Sequence, residues 1–169
     1  MYTILVVEDE LAYQSLLQTE LQKEGYKVLT AKNGKEGLDT AIEKEPDLIL
    51  LDIRMPVMDG NAMLSELRKT DYGAKVKVIM LTNLEPDAPI IKKVIQDQPT
   101  YYMIKSVISL DELKVEIKKL LYPNINKDLG SSTSVTSAES MKDGSKKIIH
   151  FDPKKAGKKE EVEGMLNAA

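Results

Sequence analysis

Five short runs of β-branched and aliphatic residues, Tyr2–Val7, Lys27–Ala31, Leu48–Leu51, Val76–Leu81 and Thr100–Ile104, are separated each time by a segment of helical length. No other feature constrains the fold as tightly. Successive strands running in one direction need a crossover, and a helix supplies it, so the alternation predicts an α/β fold: a doubly wound parallel sheet of five strands with right-handed connections and helices on both faces. Cover on both faces also explains why "LILL" at 48–51 is apolar at every position and does not alternate. The intervening segments carry helical signals. In Leu11–Glu24 the residues Leu11, Leu16, Leu17 and Leu21 recur near a 3.6 period, Gln14, Gln18 and Lys23 lie elsewhere around the helix, and Gly25 supplies a stop. Amphipathic patterns also run through Lys35–Lys44, Ala62–Lys69, Pro89–Gln96 and Leu110–Leu121, the last with Ser109 or Asp111 placed to cap its start.

After Leu121 the alternation ends. The 169 residues suffice for one domain of ordinary size and an extension, which places a single core in residues 1–122. Residues 123–145 are rich in Ser, Thr, Gly and Asn and read as a flexible linker. Residues 146–169 form a short basic and acidic tail, expected to be disordered or weakly docked, in which "KKIIHF" is a segment that could add to a sheet edge. A net charge of −3 gives no global attraction to nucleic acid or to a membrane surface. The tail lysines are followed at once by Glu160, Glu161 and Glu163, without aromatic interleaving, so direct nucleic-acid binding is not expected. With no cysteine, thiolate chemistry and disulfides are excluded. The single histidine, His150, excludes a His-rich metal site and reads as an ordinary tail residue. The first apolar run is cut short by "EDE", too early for a signal peptide or membrane span, and a cytoplasmic location is expected.

In an open parallel sheet the usable crevice lies beyond the carboxyl ends of the strands. Four runs end there on polar or charged residues: the first on Glu8, Asp9 and Glu10, the third on Asp52, the fourth on Thr82 and Asn83, the fifth on Lys105. Taken singly, each has an ordinary explanation as turn residue, helix start or surface lysine. Together they do not. Two carboxylates about 4 Å apart repel by roughly 4 kcal/mol at an effective dielectric near 20, so such a cluster requires a cation. Lys105 can bring one charge, and an all-oxygen set of carboxylates, carbonyl and water suits Mg²⁺. A carboxylate beside a dication, a hydroxyl and an ammonium is a place to receive a phosphoryl group.

These landmarks, "VVEDE", "LLDIRMPVMDG", "VIMLTN" and "YMIK", in this order over about three-quarters of the chain, resemble those of a response-regulator receiver domain, the phosphorylated half of two-component signalling. The resemblance is to single receivers like the chemotaxis regulators. It implies a flavodoxin-like strand order 2-1-3-4-5. It further implies that Asp52 accepts phosphate from the phosphohistidine of a sensor histidine kinase or phosphotransfer protein. Mg²⁺ would be bound by Asp9, Asp52 and the backbone carbonyl of Arg54, with Glu8 contributing mainly through water. Thr82 and Lys105 would each contact a phosphoryl oxygen, and Tyr102 would hold the aromatic position that swings inward as the threonine moves. Output would pass through the helix at Pro89–Gln96, the fifth strand and the last helix to a downstream protein, with phosphorylation promoting pairing of two copies. Enzymatic content would be limited to transfer onto itself and slow autodephosphorylation.

The chain departs from the family pattern at two places. Ser106 follows the lysine where the family usually has proline, and "DQPTYY" replaces the usual Gly-Ala turn before the fifth strand. The competing expectation is a constitutive interaction module whose receiver chemistry is residual. A hydrolase working through an aspartyl phosphate would need an acid two residues after the nucleophile, where Arg54 stands. Flavin binding would need a first loop that welcomes phosphate, and that loop is "EDE".

Overall fold

The computed structural model describes residues 1–83, 101–106, 108–123 and 148–150. The strands are β1 (Thr3–Val7), β2 (Lys27–Ala31), β3 (Leu48–Asp52), β4 (Lys77–Thr82), β5 (Tyr101–Ile104) and β6 (Ile148–His150); the described helices are α1 (Leu11–Lys23), α2 (Gly34–Lys44), α3 (Gly60–Leu67) and α4 (Leu110–Leu121). They build one sheet in the order β2-β1-β3-β4-β5-β6. The first five strands are mutually parallel in the predicted 2-1-3-4-5 arrangement. The expected helix at Pro89–Gln96 lies outside the described residues.

Alternate residues of the central strands feed two cores. Leu5, Val7, Ile49, Leu51, Val78 and Met80 pack with α2 and α3 on one face, while Ile4, Val6, Leu48, Leu50, Ile79 and Leu81 pack with α1 and α4 on the other. This is why "LILL" does not alternate: each of its four residues is buried, two by each layer. At about 25 cal/mol per Å² of apolar surface, such burial is the main drive holding the layers together.

One expectation needs correction. The inward stripe of α1 is Tyr13, Leu17 and Leu21, not the full leucine set: Leu11 is 67% exposed and Leu16 46%. At 100° per residue, positions 13, 17 and 21 fall within one narrow arc together with Gln14, whereas 11 and 16 flank it on either side. The five predicted parallel strands are all present, and a sixth strand adds to them at the β5 edge. β6 pairs antiparallel with β5, His150 opposite Tyr101, Ile149 opposite Tyr102 and Ile148 opposite Met103. Of the alternatives weighed for the tail, edge addition describes residues 148–150; the other residues from 124 onward lie outside the described set.

Helix ends follow local chemistry. Ser109, not Asp111, caps α4: its hydroxyl accepts from the Glu112 N–H at 3.3 Å while the Glu112 carboxylate accepts from the Ser109 N–H at 2.8 Å, a reciprocal capping box. Asn33 caps α2 and Asp59 caps α3 in the same sense, each accepting one N–H from the first turn.

The loop from β3 to α3 controls where the end of β3 sits. Gly60 lies so close to the strand that a Cβ there would stand 2.0 Å from the Asp52 carbonyl oxygen, and its N–H donates to the Ile53 carbonyl at 2.9 Å. In the same loop Val57, 84% exposed, is held at φ 68°, a left-handed conformation that a β-branched side chain strongly disfavours. Replacing it with glycine removes that strain and buries nothing less. Val57→Gly is expected to stabilise the protein by about 1 kcal/mol, the strain relief exceeding the extra freedom given to the unfolded chain. Chemical denaturation with an unchanged m-value is the check.

Candidate functional site

The carboxyl ends of β1, β3, β4 and β5 meet at one rim, and backbone hydrogen bonds fix how they meet. The Glu8 N–H donates to the Ala31 carbonyl at 3.0 Å, Ile53 to Leu81 at 3.2 Å, and Lys105 to Thr82 at 2.7 Å. These bonds tie the end of β1 to that of β2, and the ends of β3, β4 and β5 to one another. One more tie comes from α1: the Gln14 side-chain amide donates to both the Glu8 and the Ala31 carbonyls, each at 2.8 Å. That places the acidic loop after β1.

Lys105 is the centre of the charge arrangement. Its ammonium lies 2.5 Å from Glu8 Oε2 and 3.1 Å from Asp52 Oδ2, with only 6% of its side chain exposed. It also stands 4.9 Å from the centroid of the Tyr13 ring, a cation–π distance. Asp52 Oδ1 accepts from the Ile53 N–H at 2.8 Å, which leaves Oδ2 turned toward the lysine. Glu8 and Asp52 are buried and Asp9 is exposed; one carboxylate oxygen from each lies within 4.8 Å of the others. Thr82 is buried at the end of β4, next to Ile104 in the adjoining strand. Glu8, Asp9, Asp52 and Lys105 thus lie together at the rim, and Thr82 stands at the end of the strand between β3 and β5. The side chain of Arg54, two residues beyond Asp52, is exposed. Tyr102 is buried in the core shared with α2 and α3, whereas Tyr101 packs toward α1 and α4, so the two adjacent tyrosines serve opposite faces.

One ammonium does not satisfy two buried carboxylates. Burial pushes the Glu8 carboxyl above the ordinary range, the Lys105 bond pulls it partly back, and the Asp52 charge raises it again. Burial likewise raises Asp52, against the opposing effects of Lys105 and the Ile53 N–H, with Asp9 adding to the rise. The Tyr13 hydroxyl is pushed up to about 12 by burial and by the charges of Glu8, Asp52 and Glu10. Among the described residues this rim is short of positive charge. A set of hard carboxylate oxygens, two of them buried and under-neutralised, fits a hard divalent ion such as Mg²⁺.

A pH dependence follows. For both Glu8 and Asp52 the folded-state value lies above the unfolded one, so as pH falls through the folded values the native state takes up protons that the unfolded chain does not. Without divalent ions, stability is expected to rise on going from neutral pH toward the ordinary carboxylate range. Glu20, held down to about 2 chiefly by Lys114 and Lys23, acts in the opposite sense, but it is solvent-screened and loses its contribution only at lower pH. Thermal melts between neutral and mildly acidic pH test this; Mg²⁺ at neutral pH should raise the melting temperature and flatten the dependence.

Tyr13 and Gln14 were not among the residues anticipated at the site. The signal was present, because Tyr13 extends the Leu17, Leu21 stripe by one helical step and Gln14 adjoins it. A hydrophobic count passes over both, since one is amphipathic and the other polar.

Residues 4–118 match the family described as the response regulator receiver domain. A probable transcriptional regulator ycf27 of Cyanophora paradoxa is 37% identical over 145 residues, an alignment covering 86% of this chain and 58% of that protein. An uncharacterized transcriptional regulatory protein, YkoG, of Bacillus subtilis is 48% identical over 79 residues, covering 47% of this chain and 34% of its own length. The chain thus spans between a third and somewhat over half of these relatives. Among solved structures, the response regulator TrrA of Thermotoga maritima, in complex with Mg²⁺ and BeF, is 38% identical, with a TM-score of 0.62 over 71% of this chain and 99% of that one.

Proposed function

Because the chain belongs to the response regulator receiver domain family, we propose that it is a phosphorylation-controlled switch in which Asp52 takes a phosphoryl group from the phosphohistidine of a sensor histidine kinase or phosphotransfer protein. The observation that carries this reading is the bridge of Lys105 to both Asp52 and Glu8 at the strand rim, with Asp9 beside them. In the transfer a carboxylate oxygen of Asp52 forms the new O–P bond as the N–P bond to the donor imidazole breaks. Oδ2 is the oxygen turned toward the ammonium and Oδ1 is held by the Ile53 N–H, so the carboxylate is oriented before the donor arrives. Lys105 would move its charge from the carboxylates to a phosphoryl oxygen, and the Thr82 hydroxyl would donate to another. Glu8, Asp9, Asp52 and the Arg54 carbonyl would hold Mg²⁺, which when bound neutralises charge on the phosphoryl oxygens. Turnover would be limited to this self-modification and slow loss of the acyl phosphate.

Phosphorylation adds nearly two negative charges and three acceptor oxygens, enough to bias a two-state element. That element is proposed to be Thr82 with Tyr102, and the signal to pass through β5 and α4 to a protein partner, pairing of two copies included. The domain boundary near residue 122 and a cytoplasmic location belong to the same reading; among the described residues no helix is long and apolar enough to cross a membrane. The names of the relatives favour a second reading of the output, control of transcription. In that case the switch would act through a DNA-binding element, and a mobility-shift titration of the full chain against mixed-sequence duplex separates the two outputs.

The chemistry is tested by incubating the full chain with a small phosphodonor, with and without Mg²⁺, and measuring intact mass. A gain of one phosphoryl group only with Mg²⁺ is the expected result. No gain under either condition favours the constitutive interaction module.

A further inference from the structure

The two sides of the sheet are finished differently. β2, at one edge, opens on the charged Lys27 and leaves Lys27 and Thr30 exposed, the usual means of discouraging another strand from pairing there. β5 has none of these devices. Its sequence is "YYMI", without a charge or a proline, and three of its four residues are buried. A strand of that kind left at an edge would present unpaired backbone groups to any extended chain. In the structure that row is covered by β6, from the far end of the same chain.

We infer that the outer side of β5 is a strand-accepting surface whose resident ligand is the chain's own segment Ile148–His150. Antiparallel pairing suits this arrangement, because a segment returning after a long connection can approach β5 from either end, and loop closure costs only slowly more as the connection lengthens. The covering strand is three residues long. So short a strand is held weakly and can be exchanged. Its register sets Ile149 opposite Tyr102, one of the residues assigned to the switch, and β5 leads directly into Lys105. A protein segment that reads the β5 edge by strand addition must therefore displace the tail first. The placing of β5 on an output face rests on the proposed function; the tail's occupancy of the edge does not.

The chain contains no cysteine, so an introduced pair reports on register without background. Directly opposed residues of an antiparallel pair have Cα atoms about 4.5–5.5 Å apart, within the range a disulfide spans. Tyr101→Cys with His150→Cys, in the full chain under mild oxidation and at low concentration, is expected to give mainly an intrachain disulfide at monomer mass. Disulfide-linked dimers alone would show the edge filled by another copy, and thiols that remain free would show it unfilled; either result overturns the inference. A second variant uses no cross-link. Successive strand residues direct their N–H groups to opposite sides, so Ile148→Pro with Ile149→Pro removes at least one donor facing β5. Hydrogen exchange in residues 101–104 is then expected to quicken at least about tenfold while β1 and β3 stay unchanged. Unaltered exchange in β5 would overturn the inference. Neither experiment uses a phosphodonor or Mg²⁺, so failure of the phosphotransfer reading leaves both outcomes intact.

Discussion

Lys105→Met is expected to destabilise the metal-free protein by about 3 kcal/mol at neutral pH, the low end for removing one partner from a buried ionic cluster. Methionine keeps most of the stem's volume, so the loss isolates the ammonium. Without it, Glu8 and Asp52 face each other with, among the described residues, only backbone N–H groups for support. The position near a rim open to water, together with protonation of one acid, keeps the figure from being larger. Both carboxyls already lie above their ordinary range with the lysine present, and its removal drives them higher. The deficit should therefore shrink as pH falls, because protonated acids no longer repel, and shrink again when Mg²⁺ is added at neutral pH. Urea denaturation of the two proteins across pH, with and without the ion, is the measurement. A deficit that ignores both variables would mean that Lys105 acts through packing alone.

Asp52→Asn should have two effects of opposite kind. Labelling by a small phosphodonor in the presence of Mg²⁺ is expected to fall to background, since an amide offers no anionic oxygen for the new bond. The metal-free protein is expected to become more stable at neutral pH. The wild-type carboxylate is buried and held above its ordinary range, so its ionised form weakens the fold, and the neutral amide relieves both its desolvation and its repulsion with Glu8 and Asp9. Lys105 keeps Glu8 as a partner, so no cation is orphaned. A functional residue that destabilises its own fold is ordinary for a site built to bind something absent from the resting protein. Loss of labelling with a lower melting temperature would instead place Asp52 in the framework.

The parallel sheet was legible because its signal is local and repeated: each strand is an apolar run, and each is followed by a helical period. Boundaries moved by a residue or so, as at Asp52, which belongs to β3 itself and does not merely follow it. The rim could be read because the topology brings strand ends together whatever the side chains are. What Lys105 does in the resting protein was less legible, since a chain of letters does not say that one ammonium lies within bonding distance of two acids. α1 was misread where polarity stood in for direction. Gln14 faces inward because two strand-end carbonyls accept its amide, and Leu11 and Leu16 face outward because the helix is anchored by Tyr13, Leu17 and Leu21. The conformation of Val57 was invisible, as the left-handed region is normally announced by glycine or asparagine. β6 is the non-local case. The "KKIIHF" run marks a segment able to add to a sheet edge, but nothing local to it says that β5 is the edge that takes it.

The account stands on Asp52 as the acceptor, and locating the phosphoryl group tests it most directly. The full chain is treated with a small phosphodonor and Mg²⁺, the acyl phosphate is reduced with borohydride, and peptides are sequenced by mass spectrometry. The expected product is homoserine at position 52 and at no other carboxylate. Conversion at Asp9 or any other acid with position 52 intact, or no conversion anywhere, would contradict it.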